Sequence, residues 1–352
     1  MIFEVDEFPG REITVNDRQF LYFGGTGYLG LQTDNVFKDL FINAIKKYGT
    51  NYGASRKSNI RISIFEKAEN YLAKLVGSDA CLTMSSGFLV GQFLVQNLSP
   101  NKETYFYAPN THSALYTSEQ KTKTYVTFSS LNIALRLYLE ENNNETPIVF
   151  LDAIDFSGAN FPNFEGLKKL PLSDIILVVD DSHGIGIVGE NGGGVFKCIQ
   201  QLNPKEAIVC CSLGKGFGIQ AGAIFGTKER LENLKNTSFF GGASPAVPAS
   251  LAVLLQAEDI YHQKRQLLVQ NIDFFLNNLK NPSKFLFMQG HPAFSFSDEL
   301  LTKHLENNGV IVTSFRYPNE DSHLMGRIVI SATHTKEDIQ KLCLVINGFY
   351  KK

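Results

Sequence analysis

Residues 175–186 read IILVVDDSHGIG, and residues 207–222 read AIVCCSLGKGFGIQAG. Each is a short apolar run that stops abruptly at polar residues and glycine. An unbroken apolar strand fits a sheet covered on both faces, whereas a sheet with one wet face shows alternation. The same form recurs at ACLTM (80–84), TYFYA (104–108), PIVFL (147–151) and AIFG (223–226). Helical patterns lie between several of these runs. Such alternation predicts an α/β fold, with a mostly parallel sheet flanked by helices.

Outward from this block, DNVFKDLFINAIKKY (34–48) has helical spacing, with Val36, Leu40, Ile42 and Ile45 on or near one face. A second helix is predicted over 63–76, ending at Gly77. One long helical pattern begins after residue 246, and the remainder reads as a smaller α+β domain. A chain of 352 residues usually exceeds one hydrophobic core. We therefore expect a large domain over 46–250, and a small domain from 1–45 together with 251–352.

Composition narrows the function. The formal net charge is −2 and the basic residues are dispersed, so nucleic acid is not expected as a partner. No apolar run reaches the roughly 18 residues of a membrane span. The start, MIFEVDEFPGRE, lacks the basic-then-apolar order of a signal peptide. The five cysteines follow no CxxC spacing, which predicts reduced thiols in a cytoplasmic protein and no structural metal.

In an open parallel sheet, ligands gather beyond the carboxyl ends of the strands. Three strand ends here carry unusual residues. The first delivers Asp180, Asp181, Ser182 and His183; a carboxylate there needs a cationic partner, and a protonated pyridine nitrogen would serve. The second delivers Ser212 and then Lys215 between Gly214 and Gly216. A lysine drawn into a tight site can act as nucleophile and base. The third ends in Ser85-Ser86-Gly87 just before a helix, and helix starts bind phosphate. Taken singly, these are an acidic turn, a solvated turn lysine and a serine N-cap. Together they supply a phosphate cradle, a pyridinium partner and an imine-forming lysine, the outfit that pyridoxal phosphate needs.

From Tyr28-Leu-Gly-Leu31 to about Ile339, the chain resembles the α-oxoamine synthase family of fold-type I pyridoxal-phosphate enzymes. The anchors are ASR at 54–56, SSGF at 85–88, THS at 111–113, DDSHG at 180–184, SLGK at 212–215 and RIVISATHTKEDI at 327–339. The resemblance implies a homodimer that condenses an amino acid with an acyl-CoA, releasing CO2 and giving an α-amino ketone. It implies that Lys215 holds the cofactor as a Schiff base and moves the substrate Cα proton. Asp180 would pair with the pyridine nitrogen, His183 would bond the ring's O3', and His112 would stack on its face. Gly87 and Phe88, at the Ser86 helix start, would give amides to the phosphate and Ser212 a hydroxyl. Arg327 would grip the substrate carboxylate with Thr26 beside it, and Ser157 would stand near O3'. The chain departs from the family at Thr26-Gly27, where an Asn-Asp pair is usual. Asp181 stands for a glutamate, Ile60 and Phe65 for a glycine and a histidine, and Gly241-Gly242 for a Ser-Thr pair.

Other readings remain. Gly184-Ile-Gly186-Ile-Val-Gly189 matches the dinucleotide fingerprint, which requires a helix to open there, but ENGGG follows (190–194), a poor helix start. GKG at 214–216 lacks the leading glycine and the Ser/Thr of a P-loop. An aminotransferase, or a divergent non-catalytic protein on the same fold, is also compatible with the anchors.

Overall fold

The computed structural model describes residues 2–117, 124–141, 145–316 and 324–351. Its strands are β1 (Glu12–Val15), β2 (Arg18–Phe23), β3 (Ala80–Met84), β4 (Tyr105–Tyr107), β5 (Ile148–Asp152), β6 (Ile176–Asp180), β7 (Glu206–Ser212), β8 (Gly222–Gly226), β9 (Leu286–Phe287), β10 (Ala293–Phe296), β11 (Val310–Arg316) and β12 (Leu324–Val329). Its helices are α1 (Asn35–Tyr48), α2 (Ile64–Val76), α3 (Gly87–Asn97), α4 (Phe128–Glu141), α5 (Phe196–Gln201), α6 (Lys228–Lys235), α7 (Ser238–Gly242), α8 (Pro248–Gln256), α9 (Glu258–Asn278), α10 (Glu299–Asn307) and α11 (Lys336–Phe349). The chain divides into two compact units, Leu40–Ala257 and Met1–Asp39 with Glu258–Lys352. Among the described residues, no helix is long and apolar enough to cross a membrane.

The first of these units is built on a six-stranded sheet in the order β3-β8-β7-β6-β5-β4. Strands β4 to β7 are parallel to their neighbours; β8 is antiparallel to both β7 and β3. Strand β3 therefore runs the same way as β7, and five of the six strands point their carboxyl ends to one edge. The apolar runs are strands because both faces are covered. Phe150, Val178, Ile208 and Ile224 join Leu82, Val90, Phe93 and Leu94 in one buried cluster. Ser86 caps α3 by accepting the Leu89 N–H at 3.2 Å. Gly77 ends α2 in the left-handed region at φ 82°.

Arg56, from the ASR anchor, is a framework residue of this unit. Its guanidinium meets the Glu69 carboxylate with two nitrogens at 2.9 and 3.1 Å and lies 4.1 Å from the Phe65 ring centroid. Glu69 also accepts the Thr83 N–H and hydroxyl on β3, both at 2.8 Å. Phe65, where the family usually has histidine, is thus a packing surface for Arg56.

The second unit carries a six-stranded sheet in the order β1-β2-β11-β12-β10-β9, antiparallel except at β2–β11. Helix α11 starts at a capping box formed by Thr335 and Asp338. Just before it, His334 is buried and stacked on Phe23, with ring centroids 3.9 Å apart. Its Nδ1 accepts the Ser331 N–H at 2.9 Å, so the neutral ring's proton is on Nε2, which donates to the Tyr22 carbonyl at 2.9 Å.

Two expectations change and one is met. The helical pattern after residue 246 is two helices, broken at Ala257 (φ −99°, ψ 16°). No glycine or proline marks the break, but Glu258 and Asp259 place acid in the first turn of α9, where the helix dipole favours it. On α1, the buried residues are Phe37 and Ala44, whereas Val36, Ile42 and Ile45 are 62%, 51% and 42% exposed. The apolar face read from spacing is therefore largely uncovered in the single chain. Finally, residues 184–189 form turns rather than the start of a helix. A Cβ on Gly184 would lie 2.1 Å from an Asp181 carboxylate oxygen. This glycine makes room for a buried acid of the same chain, and the dinucleotide reading lapses.

Two stability outcomes follow from these contacts. Glu69→Ala should cost about 3–5 kcal/mol in urea unfolding, because Arg56 is left buried without its carboxylate. Arg56→Met with Glu69→Leu together should cost much less. Burial holds the His334 imidazole down to about 4 from its usual 6.5. The unfolded chain then binds a proton in that window that the folded chain refuses. Stability contributed by the neutral ring should be complete above pH 6.5 and fall by about 3 kcal/mol as pH drops to 4. The difference between wild type and His334→Gln, followed by urea midpoint from pH 7 to 4, should shrink over that range.

Candidate functional site

The common strand edge of the large sheet holds a cavity of about 170 Å³. It is lined by Gly87, Phe88, His112, Ala114, Asp152, Ile154, Asp180, Ser182, His183, Ser212 and Lys215. The groups arrive from five strand ends. Gly87 follows β3, His112 follows β4, Asp152 closes β5, Asp180 closes β6, and Ser212 closes β7.

Lys215 lies in the loop from β7 to β8, which is closed by Leu213 N–H to Ala221 O (2.9 Å) and Ile219 N–H to Leu213 O (3.3 Å). Its Nζ stands 2.8 Å from His183 Nε2. The His183 ring is met edge-on by Phe156, with centroids 4.8 Å apart. A run of hydrogen bonds ties the strand ends together. Ser182 N–H donates to Asp180 Oδ1 (2.8 Å), Ser212 N–H to Ser182 Oγ (2.9 Å), and Gly214 N–H to Ser212 Oγ (3.3 Å). The Ser212 hydroxyl proton is left for another acceptor.

His112 caps a short helical turn, and its Nδ1 accepts the Ala114 N–H at 3.1 Å. In the neutral ring the proton is therefore on Nε2. Burial lowers this imidazole's pKa below its usual value; the Asp180 charge opposes that and Lys215 reinforces it. Asp152 accepts the His112 N–H at 3.0 Å through Oδ1. Burial, reinforced by Asp180, drives the Asp152 carboxyl well above the usual range, with the His112 amide pulling the other way.

The helix start fits a phosphate. Within the first turn of α3, Ser86 takes the Leu89 N–H on its side chain and the Val90 N–H on its carbonyl. Neither cap engages the amides of Gly87 and Phe88, and first-turn amides point along the axis toward any bound anion. A Cβ on Gly87 would stand 2.5 Å from the Ser212 Cβ, so only glycine lets this helix start close on β7. With a lysine, an acid beside it, two imidazoles and a hydroxyl, the donor set suits pyridoxal phosphate.

The structure thus gathers Lys215, Asp180, His183, His112, Gly87, Phe88 and Ser212 around one cavity. Ser86 serves it as the cap of α3. Ser157 does not line it: its hydroxyl is held by Asp155 at 2.5 Å, and the same carboxylate takes the Gly158 and Ala159 amides. The irregular spacing of DAIDFSGANFP is this tight acidic turn. Arg327 and Thr26 belong to the other unit, where they line a mostly apolar cavity of about 540 Å³ with Tyr22, Ile311, Phe315 and Met325. Burial lowers the Arg327 pKa. Asp152 was missed, although it ends an apolar strand just as Asp180 does.

No family model matches the chain. It is 27% identical to an 8-amino-7-oxononanoate synthase of Petrotoga mobilis, over 95% of this chain and 89% of the relative. It is 28% identical to one of Buchnera aphidicola, over 99% and 92%. Among solved structures, it superposes on a serine palmitoyltransferase of S. paucimobilis with PLP bound at a TM-score of 0.82, with 18% identity, covering 99% of this chain and 92% of that one. An 8-amino-7-oxononanoate synthase from Francisella tularensis superposes at 0.69 with 21% identity, covering 94% and 98%. Both structural neighbours share the architecture, and the sequence relatives span nearly the whole chain. The chain is thus similar along nearly its whole length to 8-amino-7-oxononanoate synthases, and it shares the fold-type I architecture of its structural neighbours.

Proposed function

We propose that this protein is a pyridoxal-phosphate-dependent acyltransferase, which condenses an amino acid with an acyl-CoA and releases CO2 and CoA to give an α-amino ketone; its near-full-length relatives named 8-amino-7-oxononanoate synthase support the reading. The observation that carries this reading is the cavity at the strand edge, where Lys215, Asp180, His183, His112 and the start of α3 converge.

When bound, pyridoxal phosphate would supply an electron sink for charge developing at the substrate Cα. The protein's own groups supply the rest. Gly87 and Phe88 amides and the Ser212 hydroxyl would hold the phosphate. Asp180 would pair with the pyridine nitrogen and keep it protonated. Lys215 would hold the cofactor through its amine, and that amine would take and return the substrate Cα proton. His183, 2.8 Å from that amine, can share its proton. His112 presents a neutral ring with an Nε2–H donor to the incoming acyl carbonyl. Arg327 is the candidate for the substrate carboxylate, with a fork that suits two oxygens, and Thr26 lines the same cavity.

The exposed apolar residues Val36, Ile42 and Ile45 of α1 support a homodimer as the working form. The five cysteines are all free, which agrees with a reducing, cytoplasmic setting.

Loaded wild-type protein should absorb near about 420 nm, a property of the bound cofactor, and Lys215→Ala should lose the band. Persistence of the band in the purified variant would reject Lys215. With glycine, alanine or serine and a set of acyl-CoAs, free CoA and CO2 should appear together. Keto acid without CoA release would instead mark an aminotransferase, and silence with every pair would mark a non-catalytic protein.

A further inference from the structure

Asp152 is the one ionisable group of the cavity that the roles above do not use. It closes β5, and its Cα pairs in register with that of Asp180 on β6. Residues in register on adjacent strands carry their side chains on the same face, and both acids line the same cavity. The loop leaving β4 passes through Asn110 at φ 61° and is fastened to β5 at two places. Thr111 Oγ1 donates to Phe150 O at 3.0 Å, and His112 N–H donates to Asp152 Oδ1 at 3.0 Å. The second bond sits directly on the residue whose ring faces the cavity.

We propose that Asp152 is a positioning residue, which fixes the loop that carries His112 and forms with Asp180 a carboxyl pair holding a single negative charge. The proposal rests on reading the cavity as the cofactor site. A carboxyl buried beside another acid on the adjacent strand is harder to ionise. Burial and the neighbouring Asp180 both favour the protonated form of Asp152. The other ionisable groups around it are Lys215 beyond β7, Cys210 on β7, and Asp155 and His112 in flanking loops. With one charge in the pair, a cationic ring nitrogen and a lysine meet a balanced site. With two, the neutral form of His112 would be harder to keep.

The test uses the full chain without cofactor and then with it. In Asp152→Asn the amide oxygen still accepts from His112 and the pair still carries one charge. Its His112 ring titration, followed by NMR, should stay within about 0.3 pH unit of wild type. Amide hydrogen exchange at His112 and the dissociation constant for pyridoxal phosphate should stay within about twofold. In Asp152→Ala, exchange should quicken at least about tenfold and the dissociation constant should rise about tenfold. A fall of about one unit in the His112 midpoint of Asp152→Asn would overturn the single-charge pair, because loss of a nearby negative charge lowers an imidazole pKa. Unchanged exchange in Asp152→Ala would overturn the positioning role. Should Asp152→Ala fail to fold, Asp152→Leu and Asp152→Ser carry the exchange measurement, and the Asp152→Asn titration still decides the charge. The exchange and titration readings need no cofactor. A wild-type chain that does not bind pyridoxal phosphate would therefore sink the proposed function while leaving these two outcomes legible.

Discussion

Everything at the candidate site depends on parallel strands ending together. A parallel pair fixes both direction and spacing, with neighbouring strands roughly 4.8 Å apart. Four such strands, β4 to β7, set four residues at about that interval along one edge. Strand β3 joins them because it runs antiparallel to β8, which is itself antiparallel to β7. The helix start on β3 and the lysine loop after β7 thus come to the same edge. Hydrogen bonds from Asp180 through Ser182 to Ser212 and Gly214 then hold the ends against one another. The sheet edge sets where the cavity lies, and the loops beyond it bring Lys215, His183 and His112 in.

Electrostatics completes what geometry begins. The cavity gathers one amine, two imidazoles and two carboxyls within a wall of apolar strands. Low dielectric makes each unbalanced charge costly, so the groups must share protons. Lys215 and His183 are close enough to share one. Burial keeps His112 on the neutral side. The framework handles its charges differently: Arg56 and Glu69 are a matched pair, braced by Thr83 and by the Phe65 ring.

Much of this was legible in the chain itself. Strands buried on both faces are written as unbroken apolar runs, so β3 and β5 to β8 stand out as such runs. The residues lining the cavity sit just where those runs stop. What was hidden is instructive. Asp152 lies between an ordinary strand and an irregular loop in which Phe156 takes a positive φ, and no motif flags it. The resemblance implied Ser157 near O3', but its hydroxyl is held by Asp155 and does not line the cavity. Spacing on α1 showed that an apolar face exists, yet not that the single chain leaves most of it exposed. The break at Ala257 carries no glycine or proline, so only the backbone reveals it. Thr26 and Arg327, proposed for the substrate side, lie in the other unit, drawn from both ends of the chain.

Strand order also has a consequence for how the chain is made. Strand β3 is synthesised early, and its one partner in the sheet, β8, is synthesised after β4, β5, β6 and β7. A ribosome therefore releases β3 long before the strand that will cover its open edge. Exposed strand edges invite pairing with other chains, and long waits of this kind expose nascent domains to aggregation. The helix start proposed to receive the phosphate follows β3. The pairing that brings it to the common edge cannot form until β8 has been made.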